Sequence, residues 1–343
     1  MKLLKLATVS TIAAVCTTGA TVVASAATLD EVKERGHLNC GVNTGLVGFA
    51  FVDDKGDYQG FDVAMCKAVA AAVFGDPSKV EYVPLTGKTR FTALASGEID
   101  MLSRNTTWTL SRDVDLKFTF NGVNYYDGQG FIVPKALGVS SALELDGATV
   151  CIQTGTTTEL NLADYFRANN MSYEPVPIET ATEARQKYLA EACDTYTTDA
   201  SGLAANRAAF ENPQDHVILP EIISKEPLGP LVRHGDEEWA DIVTWVLNAL
   251  IIAEEKGITK AEVTEMASGE VSDPEVARLL GVEGAYGEML GLPADWAAKV
   301  IESVGNYGEI FDEYIGPDTA IGLERGLNAL YTDGGILYAP PFR

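Results

Sequence analysis

The first 26 positions carry no helical or strand periodicity. Leu6 to Val23 is an apolar and small-residue stretch behind Lys2 and Lys5, and it ends in Ala24-Ser25-Ala26. A positive start, an apolar middle and a small-x-small end make a cleavable export signal, so residues 1–26 read as a signal peptide. The stretch holds too many Thr, Ser and Gly residues to place about 20 consecutive apolar side chains in a bilayer, which argues against an anchor. Cys16 follows Val15 rather than a small residue, so lipid attachment there is not expected.

From residue 27 onward the pattern alternates between the periods of helix and strand. Thr28-Leu-Asp-Glu31 matches a capping box and opens a short helix that stops at Gly36. A strand is expected at 37–42 and a hairpin at 48–60, around the turn signal Asp53-Asp-Lys-Gly56. Asp62 is expected to cap an alanine-rich helix ending at Gly75, followed by a strand at 80–84, a helix at 88–96 and a strand at 99–102. The alternation then restarts, with strands at 148–153, 172–177, 194–198 and 216–219 and helices at 157–168, 182–192 and 201–210. Strands and helices in this order form an α/β unit with a mainly parallel sheet. Two extended apolar segments, Gln129–Pro134 and Pro227–Arg233, enter and leave the second unit. The pattern therefore predicts two lobes joined by a double crossing, with residues 27–132 and 230–343 in lobe 1 and 133–229 in lobe 2. A long helix is expected from Asp236 to about Glu255, and a helical, loop-rich extension from about Gly257.

Composition sharpens this picture. The chain is 46% hydrophobic, as a globular protein requires. It has 25 basic and 49 acidic residues, a formal charge of -24, and loss of Lys2 and Lys5 with the signal makes it more negative still. So acidic a surface argues against nucleic acid as a partner and requires a local positive cluster for any anionic ligand. Four cysteines follow the signal: Cys40, Cys66, Cys151 and Cys193. An even number in an exported chain suggests disulfides. They admit three pairings, and joining Cys40 to Cys66 and Cys151 to Cys193 keeps each bridge within one half. No CxxC occurs and His37, His216 and His234 lie away from the cysteines, so neither a metal nor a cofactor is expected.

In open α/β sheets ligands are met at the carboxyl ends of strands. Ser103–Arg112, after one such end, offers hydroxyls, backbone amides and the planar fork of Arg112; its plainer role is a surface loop. Thr154-Gly-Thr-Thr-Thr-Glu159 opens a helix whose free amides suit an anion, with Glu159 as a cap partner. Asp199 also opens a helix, either as its cap or facing an ammonium group. Phe49, after the first strand, is either an apolar wall or core. Together these groups supply both poles of a zwitterion site.

On these stretches, and on Gly60-Phe-Asp62, Gly97-Glu-Ile-Asp100, Thr197-Thr-Asp199 and the ending from Gly326 to Arg343, the chain resembles the family 3 extracellular solute-binding proteins, the amino-acid receptors of ABC importers. Within that family it is most similar to those of broad-specificity L-amino acid importers. The resemblance implies a type II, Venus-flytrap fold and a monomer in the periplasm that delivers free L-amino acids to an inner-membrane permease. It also implies that Arg112 and Thr107 hold the ligand carboxylate, with a backbone contact at Asn105. Gly155, Thr156 and Thr157 would bind the same carboxylate, and Asp199 the ammonium. Phe49 takes the apolar-wall position and Arg90 a position that meets acidic side chains. Leu46 stands where many relatives have an aromatic platform, and Asn43 where an acidic residue is common. A rival expectation is a dehydratase of cyclic amino or keto acids on the same fold. It would need a general acid in the cleft, and none of these loops carries a His. A receptor's sensory domain is a second rival, limited to a soluble role.

Overall fold

The computed structural model describes residues 27–343, and the expected signal peptide lies outside them. The chain opens with α1 (Thr28–Arg35), β1 (Leu38–Asn43), a small hairpin of β2 (Phe51–Val52) and β3 (Tyr58–Gln59), and α2 (Phe61–Phe74). There follow β4 (Val80–Leu85), α3 (Arg90–Ser96), β5 (Met101–Leu102) and β6 (Phe118–Phe120). After β7 (Tyr125–Asp127) come β8 (Gln129–Pro134), β9 (Ala148–Gln153), α4 (Thr157–Ala168), β10 (Tyr173–Ile178) and α5 (Ala181–Leu189). Then come β11 (Thr195–Asp199), α6 (Ala200–Ala208), β12 (His216–Ile218), β13 (Glu226–Leu228), β14 (Leu231–Arg233) and α7 (Glu237–Glu255).

These strands form two five-stranded sheets, ordered β4-β1-β5-β14-β6 and β10-β9-β11-β8-β12. In each, the first three are parallel and the last two run antiparallel to their neighbours. β14 joins the first sheet only after the second is complete. The chain therefore crosses twice, through β7 and β13, which pair antiparallel with Tyr125 opposite Leu228 and Asp127 opposite Glu226. Gln129–Pro134, expected as a crossing, is instead β8 inside the second sheet, so the expected boundary at 132/133 falls within a strand. Its side chains are nearly all buried, and an apolar run suits a sheet interior as well as a crossing.

Two helix starts also differ from expectation. Thr28 makes no capping box; its amide donates to Asp236 at 2.7 Å and its hydroxyl accepts from Arg233 at 3.3 Å. Asp62 does not cap α2, which begins one residue earlier behind Gly60. Gly60 has φ +126°, and a Cβ there would lie 2.3 Å from the Phe49 carbonyl, so the approach of these backbones requires glycine.

Buried α2 packs against the first sheet, against α7 and against a helix at Trp296–Val304, its alanines allowing close approach. The extension past Gly257 is helical and joins this core, with Phe342 tucked against Trp245, Trp296 and Tyr286. It also grips a crossing strand: Asn328 accepts from the Tyr126 amide at 2.7 Å and donates to its carbonyl at 3.1 Å. Cys40–Cys66 ties β1 to α2, and Cys151–Cys193 ties β9 to the turn before β11. No helix among the described residues is long and apolar enough to cross a membrane.

Candidate functional site

The carboxyl ends of β1, β5, β9 and β11 point into one cleft between the sheets, with about 520 Å³ of space including its opening to solvent. Its two sides touch at the rim. Gly87 and Gly155 face each other so closely that a Cβ on Gly87 would lie 2.8 Å from the Thr154 carbonyl. Lys88 pairs with Glu179 at 3.1 Å, and the hydroxyls of Thr107 and Thr157 meet at 3.3 Å.

The first-sheet wall is cationic. Arg90, at the start of α3, is buried; its Nη1 donates to Thr106 Oγ1 at 3.1 Å, while Nε has no partner among the described residues. Burial, with Arg104 and Arg112 nearby, pushes its pKa well below the usual arginine value. Arg104 donates from Nε to the Leu85 carbonyl at 2.9 Å and leaves Nη2 unpaired. Burial lowers its pKa to about 10 against the pull of Asp62 and Asp199. Asp62 is held by the Asn105 amide at 3.1 Å, yet burial raises its pKa to about 7. Asn105 has φ +36°, a conformation asparagine tolerates, and its Oδ1 has no partner.

The opposite wall combines a helix start with a carboxylate. Thr156 caps α4 by accepting from the Glu159 amide at 3.3 Å, and Glu159 accepts from the Gly155 amide at 3.0 Å. Thr157 and Thr158 line the cleft, and as first-turn residues their amides lack intrahelical acceptors. Asp199 precedes α6 but makes no capping bond, which leaves its carboxylate to the cleft. Burial first, then Asp127 and Glu226, raise its pKa well above the usual carboxylate range. Asp127 accepts from Ser201 Oγ, and burial raises its pKa to about 6.

Residues 38–257 match the bacterial extracellular solute-binding proteins, family 3. The chain belongs to this family. It is 65% identical over 320 residues to the glutamate/glutamine/aspartate/asparagine-binding protein of Rhodobacter capsulatus, covering 93% of this chain and 94% of that one. It is 59% identical to the general L-amino acid-binding periplasmic protein of Rhizobium johnstonii, covering 96% and 97%. Among solved structures, a periplasmic binding protein of an ABC transporter from Brucella ovis, with glutathione bound, superposes with a TM-score of 0.90 at 56% identity, covering 93% of this chain and all of that one. The fold is accordingly the two-lobed type II periplasmic binding protein architecture.

Against that family pattern, the structure brings Arg90, Asn105, Thr107, Thr156, Thr157 and Asp199 to one cleft. Three expected residues stand elsewhere. Phe49 packs in the core, edge-on to Phe61 and Tyr125, and Leu46 supplies the apolar lining. Gly155 forms the rim, with its amide taken by Glu159. Arg112 lies behind the wall, where its Nη1 donates to the Thr107 carbonyl at 2.8 Å; burial lowers its pKa to about 10, opposed chiefly by Glu226. Sequence reasoning missed Arg104, Asp62's part in the wall, Asp127 and Glu226. Arg104 lay within the hydroxyl-rich loop already singled out. Glu226, a charge opening an apolar extended run, was the other available signal.

Proposed function

We propose that this chain is a periplasmic receptor that captures free L-amino acids for an ABC permease, and that acidic amino acids and their amides are its preferred ligands. One observation carries this reading: unpaired guanidinium N–H groups on Arg90 and Arg104 face an uncapped, unpaired Asp199 across a closed cleft. An amino acid completes both sides, its ammonium at Asp199 and its carboxylate at the first-turn amides of α4. A side-chain carboxylate or amide then meets Arg90 and Arg104, whose N–H forks are built for oxygen acceptors. Charge-assisted bonds at both poles are enough for micromolar affinity, about 8 kcal/mol. The name of the Rhodobacter relative agrees with such side chains. Closure of the lobes about β7 and β13 would then bury the ligand and present the closed form to the permease.

Calorimetric titration of ligand-stripped protein tests this. L-Glutamate, L-glutamine, L-aspartate and L-asparagine are expected to bind more tightly than L-leucine. A flat response to all four would remove the reading. Glutathione belongs in the same series, because its γ-glutamyl end offers the same ammonium and carboxylate.

A further inference from the structure

The rim contact between Gly87 and Gly155 joins the two loops that lead into the ligand-facing helices, Gly87 shortly before Arg90 on α3 and Gly155 shortly before Thr157 on α4. A Cβ on Gly87 would lie 2.8 Å from the Thr154 carbonyl oxygen and 3.1 Å from Thr156 Cγ2. One on Gly155 would lie 3.1 Å from Lys88 Cγ and 3.2 Å from the Gly87 carbonyl. Gly155 has φ +74°, so its own turn requires glycine. Gly87 lies outside the left-handed region, and its loop would accept alanine. The atoms nearest to a Cβ at Gly87 all belong to the other lobe, so it is the approach of that lobe that leaves no room for a side chain.

Neither loop is free to yield. The Thr86 amide donates to Thr89 Oγ1 at 3.0 Å and the Thr89 amide to Thr86 Oγ1 at 3.3 Å, which closes a reciprocal turn around Gly87. Opposite, the Thr154 amide and hydroxyl donate to the Ile178 carbonyl at 3.1 and 3.2 Å, the Gly155 amide donates to Glu159 at 3.0 Å, and the Thr156 hydroxyl donates to the Gln153 carbonyl at 2.6 Å. A side chain at position 87 would therefore part the lobes before it bent either loop. The neighbouring Lys88–Glu179 pair is more than half exposed on both sides and contributes little to where closure stops. Arg90 and Thr157 stand on the helices that these loops begin. The depth of contact at Gly87 thus fixes the distance between the cationic wall and the first-turn amides of α4.

We infer that Gly87 is a positioning residue that sets how deeply the two lobes close: its missing side chain lets the loops before α3 and α4 meet backbone to backbone, at the separation where one amino acid spans both walls of the cleft. This deepens the amino-acid-receptor reading and rests on it for the ligand; the depth of closure does not depend on it. Ligand enters through the open form and is retained by the closed one, so a stop at position 87 acts on escape and not on entry.

Gly87→Ala and Gly87→Leu in the purified protein test the assignment. Calorimetry and stopped-flow kinetics with L-glutamate should show affinity falling on the order of tenfold in Gly87→Ala and further in Gly87→Leu. The loss should come as faster dissociation, with the association rate and the ligand-free melting temperature unchanged. Wild-type affinity in either variant, or a loss carried by slower association, overturns the inference. So does failure of Gly87→Ala to fold, since the loop would then need its glycine for itself. A second readout uses no ligand. Cysteines in place of the rim pair, Lys88→Cys/Glu179→Cys, are joined by a short bismaleimide as the lobes meet. Cross-linking should slow several-fold when Gly87→Leu is added, and an equal rate also overturns the inference. Failure of wild type to bind any amino acid, with cross-linking slowed as expected, would strike the receptor reading and leave the closure stop standing.

Discussion

Of the two walls of the cleft, the one built on the first sheet leaves its polar groups unpaired, whereas the one built on the second sheet holds its own in local bonds. Arg90 Nε, Arg104 Nη2 and Asn105 Oδ1 are buried without partners among the described residues, and all three belong to the first-sheet wall. Across the cleft, Thr156 donates to the Gln153 carbonyl at 2.6 Å, Gln153 to the Glu179 carbonyl at 2.6 Å, and Asn206 to the Gly202 carbonyl at 2.7 Å. Unpaired buried polar groups cost stability, on the order of 1–3 kcal/mol each. The first wall is thus held in a state that a ligand completes, while the second is already organised. Asp199 is the exception on the organised side, uncapped at the proposed ammonium site.

That contrast can be broken most sharply at Asp199. Asp199→Asn removes the charge opposite the ammonium and should weaken amino-acid binding on the order of a hundredfold in calorimetry, with the fold intact by circular dichroism. The same residue sets the next effect. Its raised pKa means that the ligand-free carboxylate is protonated above the usual carboxylate range, whereas an ammonium favours the ionised form. Binding should then release a proton. Affinity should fall as pH drops through the raised pKa, by up to about tenfold per pH unit, and level off above it. Titrations in buffers of different ionisation enthalpy measure that proton, and Asp199→Asn should abolish the slope.

Stability should move in opposite directions on the two walls. Arg90→Met replaces a buried, partly unpaired cation repelled by Arg104 and Arg112. Binding of L-glutamate should weaken about tenfold, while the melting temperature of the ligand-free protein rises by about 2–4 °C, as a gain near 1 kcal/mol gives in a chain of this size. Thr156→Ala on the other wall removes the α4 cap and should lower melting by a similar amount, about 1 kcal/mol, with only a small change in affinity. A stability loss in both variants, followed by differential scanning calorimetry, would erase the distinction between the walls.

The sequence already displayed most of the second unit: the range of α4 and that of β9 follow directly from apolar spacing and from the Thr-capped start. The first crossing was misplaced because β7 spans only three residues, too short to show a period, while apolar β8 looked like a linker; the second, expected at Pro227–Arg233, overlaps β13. Asp62 looked like a cap because a carboxylate near a helix start ordinarily is one; the close Gly60–Phe49 approach begins the helix earlier and turns Asp62 toward Asn105 and Arg104. Glu226 and Asp127 stayed hidden for a different reason. Their charges are indistinguishable in sequence from those on an acidic surface, and only the pairing of distant strands buries Glu226 and half-buries Asp127. The family resemblance placed Arg112 at a ligand carboxylate, and the structure bonds its Nη1 to the Thr107 carbonyl at 2.8 Å.

The central question is whether the cleft takes amino acids by both poles. Thermal-shift screening of ligand-stripped protein against the common L-amino acids tests this most directly. Stabilisation by a broad set is expected, strongest for glutamate, glutamine, aspartate and asparagine and absent for their decarboxylated or deaminated analogues. Equal stabilisation by analogues lacking the ammonium or the carboxylate, or none by any amino acid, would contradict it.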